Sequence, residues 1–541
     1  MSLWAAVLSD RAGMPISEAW RIAPIGIFLF LAGYFIWTVI SGGNWGRIAV
    51  VASFCGAAAF GLYILKNWRL GVESFFVWII VEDLVRKNTG NQLVIYFVKD
   101  VIILATLIGY FQSKRAETFH SRNRMVPWAL LLLIAWAVLE SFNPALDNVL
   151  VPILGLRMSF FYVPMAILGY AYVKDELSWK RFISLNMTLG VVMGLLGLAQ
   201  AVFGLNFLNP ESAWGLRLYQ TRGVEAAYQV PRPNATFVDA GRFAQYMFVM
   251  MFIGWAGLFW EASSIGKRRR VLWVSLLWGV VLAGLFVSGQ RAAICWTLCA
   301  LPFITFIPLR DGLRRKMPLR SFWMSLVGAA LAVIVILAFL IKASPERFSA
   351  AWNYYSTTLS PSSSEGELFT RPVQYWKDTV FAFNESGLFG HGTGTESLGL
   401  PYVYHMDLYE DFDSSLYRVE GGYASVLWEW GIVGLILWLL WTSAVVWGLA
   451  RQSRLLKGTG WYAMGVCTTI YAAFLLFPWF YMGLNFYQQY VAQAYLWFMI
   501  GIVYRLPSLQ AVTECETVVA SPTMNYRMIA PCEVGGNPWT R

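Results

Sequence analysis

The chain is 541 residues long, 58% hydrophobic and only 13% charged, with a mean hydropathy of +0.54. Soluble domains carry charge on roughly a quarter of their residues, so an ordinary water-soluble class is excluded. The net charge of +10 would suit nucleic acid, but the basic residues fall in short clusters between apolar runs, so membrane topology explains them and no nucleic-acid partner is expected.

The first twenty residues, with Arg11 and Pro15, lack an apolar core ending in a cleavage site, so the first hydrophobic run is expected as an uncleaved helix. Crossing about 30 Å of hydrocarbon takes about 20 apolar residues in a helix. Such runs predict spans at 24–40, 48–65, 92–112, 126–142, 158–173, 182–205, 241–260, 271–288, 292–309, 321–341, 422–450, 461–482 and 486–504. The short segment 71–85 carries Glu73, Glu82 and Asp83, so it crosses, re-enters or lies at the interface. The crossing version, with about 14 spans, puts both termini on one side.

Lys and Arg in short loops mark the cytoplasm. Five loops agree: Lys114 to Arg124, Lys174 to Arg181, Lys267 to Arg270, Arg310 to Arg320 and Arg451 to Lys457. The fold class expected is an all-α, polytopic membrane helix bundle of about 12–14 spans. Its parts are a cytoplasmic N-terminus (1–23), a bundle (24–341) with an external loop at 206–240, a large external loop (342–421), C-terminal spans (422–505) and a flexible cytoplasmic tail (506–541). A loop as long as 342–421 is uncommon without a function of its own. Four cysteines (Cys55, Cys295, Cys299, Cys467) lie in apolar segments and two (Cys515, Cys532) in the tail, so all six are read as thiols.

Chemistry is expected from arginines near the outer ends of spans: Arg232, Arg242, Arg291 in the turn Ser288-Gly289-Gln290-Arg291, and Arg371 in the large loop. A guanidinium near hydrocarbon is costly, and it offers paired hydrogen bonds that match phosphate oxygens. Several from separate segments suggest one anionic ligand, a pyrophosphate being the natural candidate. Singly, each could instead snorkel to headgroups or pair with a carboxylate such as Asp239.

Gly390-His391-Gly392-Thr393-Gly394 has the look of a phosphate cradle but lacks the Gly-Lys-Ser/Thr ending, so it reads as a turn that lets backbone approach a ligand or another segment. His391 and His405 share the large loop, without the spacing of a zinc site. The acidic run Asp407, Glu410, Asp411 and Asp413 reads as a solvated loop, and no metal is expected. Lys99 and Asp100 are read first as helix-packing residues, able to pair or to reach a polar interior. Glu420, before Gly421-Gly422-Tyr423 at the mouth of a span, is either a general base or a solvated carboxylate that suits the helix dipole.

The stretch from Arg371 to Leu435 resembles the O-antigen ligase and polymerase family of bacterial membrane enzymes. It contains Arg-Pro-Val-Gln-Tyr-Trp, then Gly-Leu-Phe-Gly-His-Gly-Thr-Gly, then Glu420 opening a helix that carries Glu429, Gly431, Gly434 and Leu435. The segments Arg232 to Tyr246 and Ser288 to Ala292 are similar to that family's other arginine-bearing stretches. The resemblance implies a fold like that of GT-C glycosyltransferases. It also implies metal- and cofactor-independent transfer from a polyprenyl pyrophosphate-linked oligosaccharide, on the periplasmic side of the bacterial inner membrane. A chain-length regulator and a flippase would be companions. Arg232, Arg291 and Arg371 would hold the departing pyrophosphate. Ligases commonly carry a histidine where this chain has Glu420, which favours a polymerase over a ligase. Glu420, Arg291 and Arg371 are thus expected in catalysis, and Arg232, Arg242, His391, His405 and Tyr423 in substrate binding. A transporter of lipid-linked sugars is the alternative from another class, although no internal repeat is visible.

Overall fold

The computed structural model describes residues 59–89, 93–113, 125–209, 232–262, 268–314, 319–358, 367–403, 418–419, 421–477 and 484–519. The spans expected at 24–40 and most of 48–65 lie outside these residues. The described chain is all-α, with no strand, and nine of its helices are long and apolar enough to cross a membrane. The class defined is therefore a polytopic helical membrane bundle.

In chain order the helices are α1 Trp68–Asn88, α2 Leu93–Gln112, α3 Met125–Leu139, α4 Leu150–Phe160, α5 Met165–Tyr172 and α6 Glu176–Phe203. There follow α7 Ala240–Ala262, α8 Arg268–Val287, α9 Arg291–Arg314, α10 Leu319–Ala343, α11 Pro345–Thr358 and α12 Glu367–Ser386. The last are α13 Leu400–Val403, α14 Gly422–Leu455, α15 Tyr462–Leu476, α16 Leu484–Gln488 and α17 Tyr490–Val519. The span expected at 158–173 is in fact α4 and α5, broken by turns at 161–164. The last helix overruns the tail boundary expected at Leu506, continuing through Pro507 to Val519. The large loop contains two helices of its own, α11 and α12.

α7 is the axis of the bundle. Every residue from Phe243 to Ala262 is buried, and α6, α8, α15 and α17 pack around it. A helix apolar all round belongs inside. By contrast α10 exposes Val327, Leu331, Ile334, Val335 and Phe339, the outward apolar face expected where lipid is the solvent.

The basic loops meet at one end. There Arg69 donates to the Ala171 carbonyl, Glu73 accepts from the Tyr172 hydroxyl at 2.7 Å, Lys180 lies over Trp260, Arg270 pairs with Glu261, and Asp311 accepts from Gly458 N–H. α1 starts at this end and finishes at the other, where Lys87 reaches the Ala235 carbonyl at 2.9 Å. The 71–85 segment therefore traverses the bundle. Its 21 residues, at about 1.5 Å each, have the length to do so.

Candidate functional site

The end opposite the basic loops gathers Arg232, Arg242 and Arg291. Arg232 lies against the turn 288–290, where Gly289 adopts φ +68 and any Cβ would press on the Arg232 side chain at 2.8 Å. Its guanidinium donates to the Gln290 side-chain oxygen. One residue on, Arg291 opens α9 and sits 4.2 Å from the centre of the Tyr354 ring. Next to it, the Tyr355 hydroxyl donates to the Phe286 carbonyl at 2.7 Å. Burial pushes the Tyr355 phenol up, while both Arg232 and Arg291 pull it down, so the two cations share one neighbour. Residues 59 positions apart in the chain are thus brought to one place by α11, an element of the large loop.

The segment carrying Arg232 is held by a polar lattice. Gln200 on α6 is wholly buried; its oxygen accepts the N–H groups of Asn234 and Ala235 at 2.9 and 2.7 Å, and its amide donates to Phe207 O and Asn234 Oδ1. Asn209 donates to Asn234 Oδ1, and Lys87 from α1 donates to Asn209 Oδ1 at 2.8 Å. Ala235 itself is left-handed, φ +48, a conformation this lattice maintains against the strain on a non-glycine residue.

Asp83, also on α1, fastens the far end of the same segment. Its carboxylate accepts Val238 N–H at 3.2 Å, Arg86 at 3.1 Å, and Arg242 through both oxygens at 3.2 and 3.0 Å. Arg242 is therefore committed to a protein carboxylate. Deeper in the bundle Lys99 pairs with Glu82 at 2.8 Å, and Arg157 pairs with Asp100, which also accepts from Tyr162. Lys99 and Asp100 thus reach different partners instead of each other. Buried charges persist in low dielectric only when paired in this way.

The glycine-rich turn performs a structural task. α14 is broken at Gly431, whose φ of 64 and ψ of −166 remove the helical bonds around it. The stranded carbonyls are capped from outside: His391 N–H donates to Trp428 O at 2.8 Å, Gly392 N–H to Glu429 O at 3.1 Å, and Trp136 to Trp430 O at 3.0 Å. Gly390, at φ +78, comes so close that a Cβ would lie 2.6 Å from Gly431 N. The turn approaches another segment, and these N–H groups are spent on it. The His391 ring stacks on Trp428 at 3.9 Å between centres.

Two buried carboxylates extend this strap. Glu396 N–H donates to Glu429 at 3.2 Å, and the Glu396 carboxyl accepts Arg418 N–H at 2.7 Å. Burial first, then the neighbouring Glu429 charge, pushes the Glu396 carboxyl up to about 8. Sequence reading missed Glu396, Gln200, Asp83 and Lys87. For the last two, the polar residues every third or fourth position on α1 were the available signal. Arg371 stands on α12, which packs on α14, apart from the Arg232–Arg291 pair in the fold's layout. Tyr423 is half-buried in the first turn of α14. Glu420, His405 and the acidic run 407–413 lie outside the described residues.

The site and fold define a multi-pass helical membrane protein with a cation-rich polar end. No protein-family model matches the chain, and no curated protein matches it.

Proposed function

We propose that the protein is a membrane glycosyltransferase that polymerises lipid-linked polysaccharide repeat units. The observation that carries this reading is the convergence of Arg232 and Arg291, from separate segments, on the tyrosine pair of the large loop. Two guanidinium groups held at the end of a low-dielectric bundle are suited to a pyrophosphate, whose charge rises as it departs. The donor is a polyprenyl pyrophosphate-linked oligosaccharide, and the face is the periplasmic one of a bacterial inner membrane.

In the reaction an acceptor sugar hydroxyl attacks the anomeric carbon of the donor chain. The carbon–oxygen bond to pyrophosphate breaks, its electron pair leaves with the pyrophosphate, and the hydroxyl proton passes to a base. Glu420 is the base proposed. Arg232 and Arg291 neutralise the leaving group, with Arg371 a further cation for it. The Asp83-bound Arg242 serves to position the 232–239 segment.

The test is a proteoliposome holding the purified chain and lipid-linked repeat units, without nucleotide or ion gradient. Longer glycans should form, and Arg232→Ala and Arg291→Ala should abolish most of them. Unchanged product length and yield in both variants would sink the reading. A deletion strain that accumulates single repeat units identifies a polymerase, whereas one that accumulates full-length unattached chains identifies a ligase.

A further inference from the structure

α12 has two apolar faces, and only one is covered. Its inner face, with Ala382 and Ser386 buried, packs on α14, where Ala382 clusters with Ala424 and Leu427. At about 3.6 residues per turn, positions 373, 376, 380 and 383 fall within about 80° of arc on another side of the helix. They are Val373, Trp376, Val380 and Phe383, and all are exposed, Trp376 by 66%. The intervening exposed positions are polar: Gln374, Lys377 and Glu385.

This stripe runs into the lipid-facing surface of the bundle. Beyond its end the exposed Leu388 and Phe389 follow, and Phe389 stacks on Trp136 of α3 at 5.9 Å. α3 in turn exposes Leu131, Leu132 and Leu139 along its span. The break at Gly431 frees the first part of α14, and α12 beside it, from following the axis of the span below. A narrow apolar stripe with tryptophan, flanked by lysine and other polar side chains, is the composition of a helix lying in a membrane interface.

We propose that α12 is such a helix: its Val373–Phe383 stripe dips into the acyl chains of the leaflet at the end opposite the basic loops. The occupant is bilayer phospholipid, continuous with the lipid that covers α3. A helix at that depth carries Arg371, near its start, at the level of lipid phosphates.

The experiment uses the full chain in native membranes, with p-benzoylphenylalanine introduced singly at Trp376 or Phe383. Gln374 and Glu385, on other faces of α12, are the negative positions, and Val335 on the exposed face of α10 is the positive one. After irradiation, mass spectrometry should find phospholipid adducts at 376 and 383 at the level of 335, and their loss at 374 and 385. Adducts to protein at 376 and 383, whether a second copy or another partner, overturn the proposal. So does the absence of lipid adducts at both positions when 335 yields them.

Discussion

Replacing Asp83 by alanine should loosen the segment that carries Arg232. Asp83 is fully buried and accepts from Arg86, Arg242 and the Val238 N–H. Removing one side of a buried ion pair strands the other in low dielectric, at a cost of roughly 3–5 kcal/mol. The Arg242 side chain is 17% exposed, so it recovers part of its hydration. The expected loss is therefore at the lower end, about 3 kcal/mol, and since about 1.4 kcal/mol is tenfold, local opening should rise about a hundredfold. Hydrogen exchange on the full chain in nanodiscs reads this at the amides of 234–242. Asp83→Asn retains shape and one acceptor oxygen, and should fall between the two. If protection in Asp83→Ala stays within about threefold of the parent, the carboxylate does not clamp the segment and the reasoning fails.

Gln200→Leu leaves the Asn234 and Ala235 N–H groups buried without their acceptor, which should cost about 2–4 kcal/mol, read as a lower thermal midpoint in detergent. An unchanged midpoint contradicts the lattice. Gly431→Ala should cost more than Gly387→Ala: both have positive φ, worth about 1–2 kcal/mol, but a Cβ at 431 also overlaps the Leu388 carbonyl whereas one at 387 meets nothing. Equal midpoints would mean that the strap does not pack on the α14 break. Glu396 carries a pH dependence. Its folded value of about 8 lies above the ordinary 4.5, so the folded chain binds this proton more tightly than the unfolded chain does. Its contribution is complete below 4.5 and is lost as pH rises through 8. Exchange at Val419 and Gly421 should therefore accelerate between those limits, and Glu396→Gln should flatten the profile while keeping the acceptor. A profile that Glu396→Gln leaves unchanged assigns the dependence elsewhere.

Hydropathy made the spans legible because burial in lipid or in the bundle demands the same apolar run. It failed where the helix carries its own charges. α1 contains Glu82, Asp83, Arg86 and Lys87, and a span of that composition is affordable only if the partners are in reach, which is a tertiary fact. Lys99 and Asp100 held a clue that local reading can use. Adjacent residues on a helix point about 100° apart, so neighbours in sequence are poor partners and each must look to a different helix. The structure supplies Glu82 to one and Arg157 to the other. The arginines at the outer ends were recognisable as costly and therefore purposeful. Their common neighbours, Tyr354 and Tyr355, were not, since aromatic residues in a loop carry no sign of what they face.

The glycine-rich turn shows why composition alone could not decide its role. A run of glycines lets backbone come close, and it does so equally for a phosphate and for a broken helix. The discriminating residue is Gly431, forty residues further on, whose positive φ leaves carbonyls in need of donors. Once Trp428 O and Glu429 O are capped by His391 and Gly392, those donors are no longer available to an anion. Anion recognition is then left to side chains that have charge to offer, which returns the argument to Arg232 and Arg291. The strap keeps a share in function by another route: through Glu396 it holds Arg418 N–H, and with it the backbone that leads into α14.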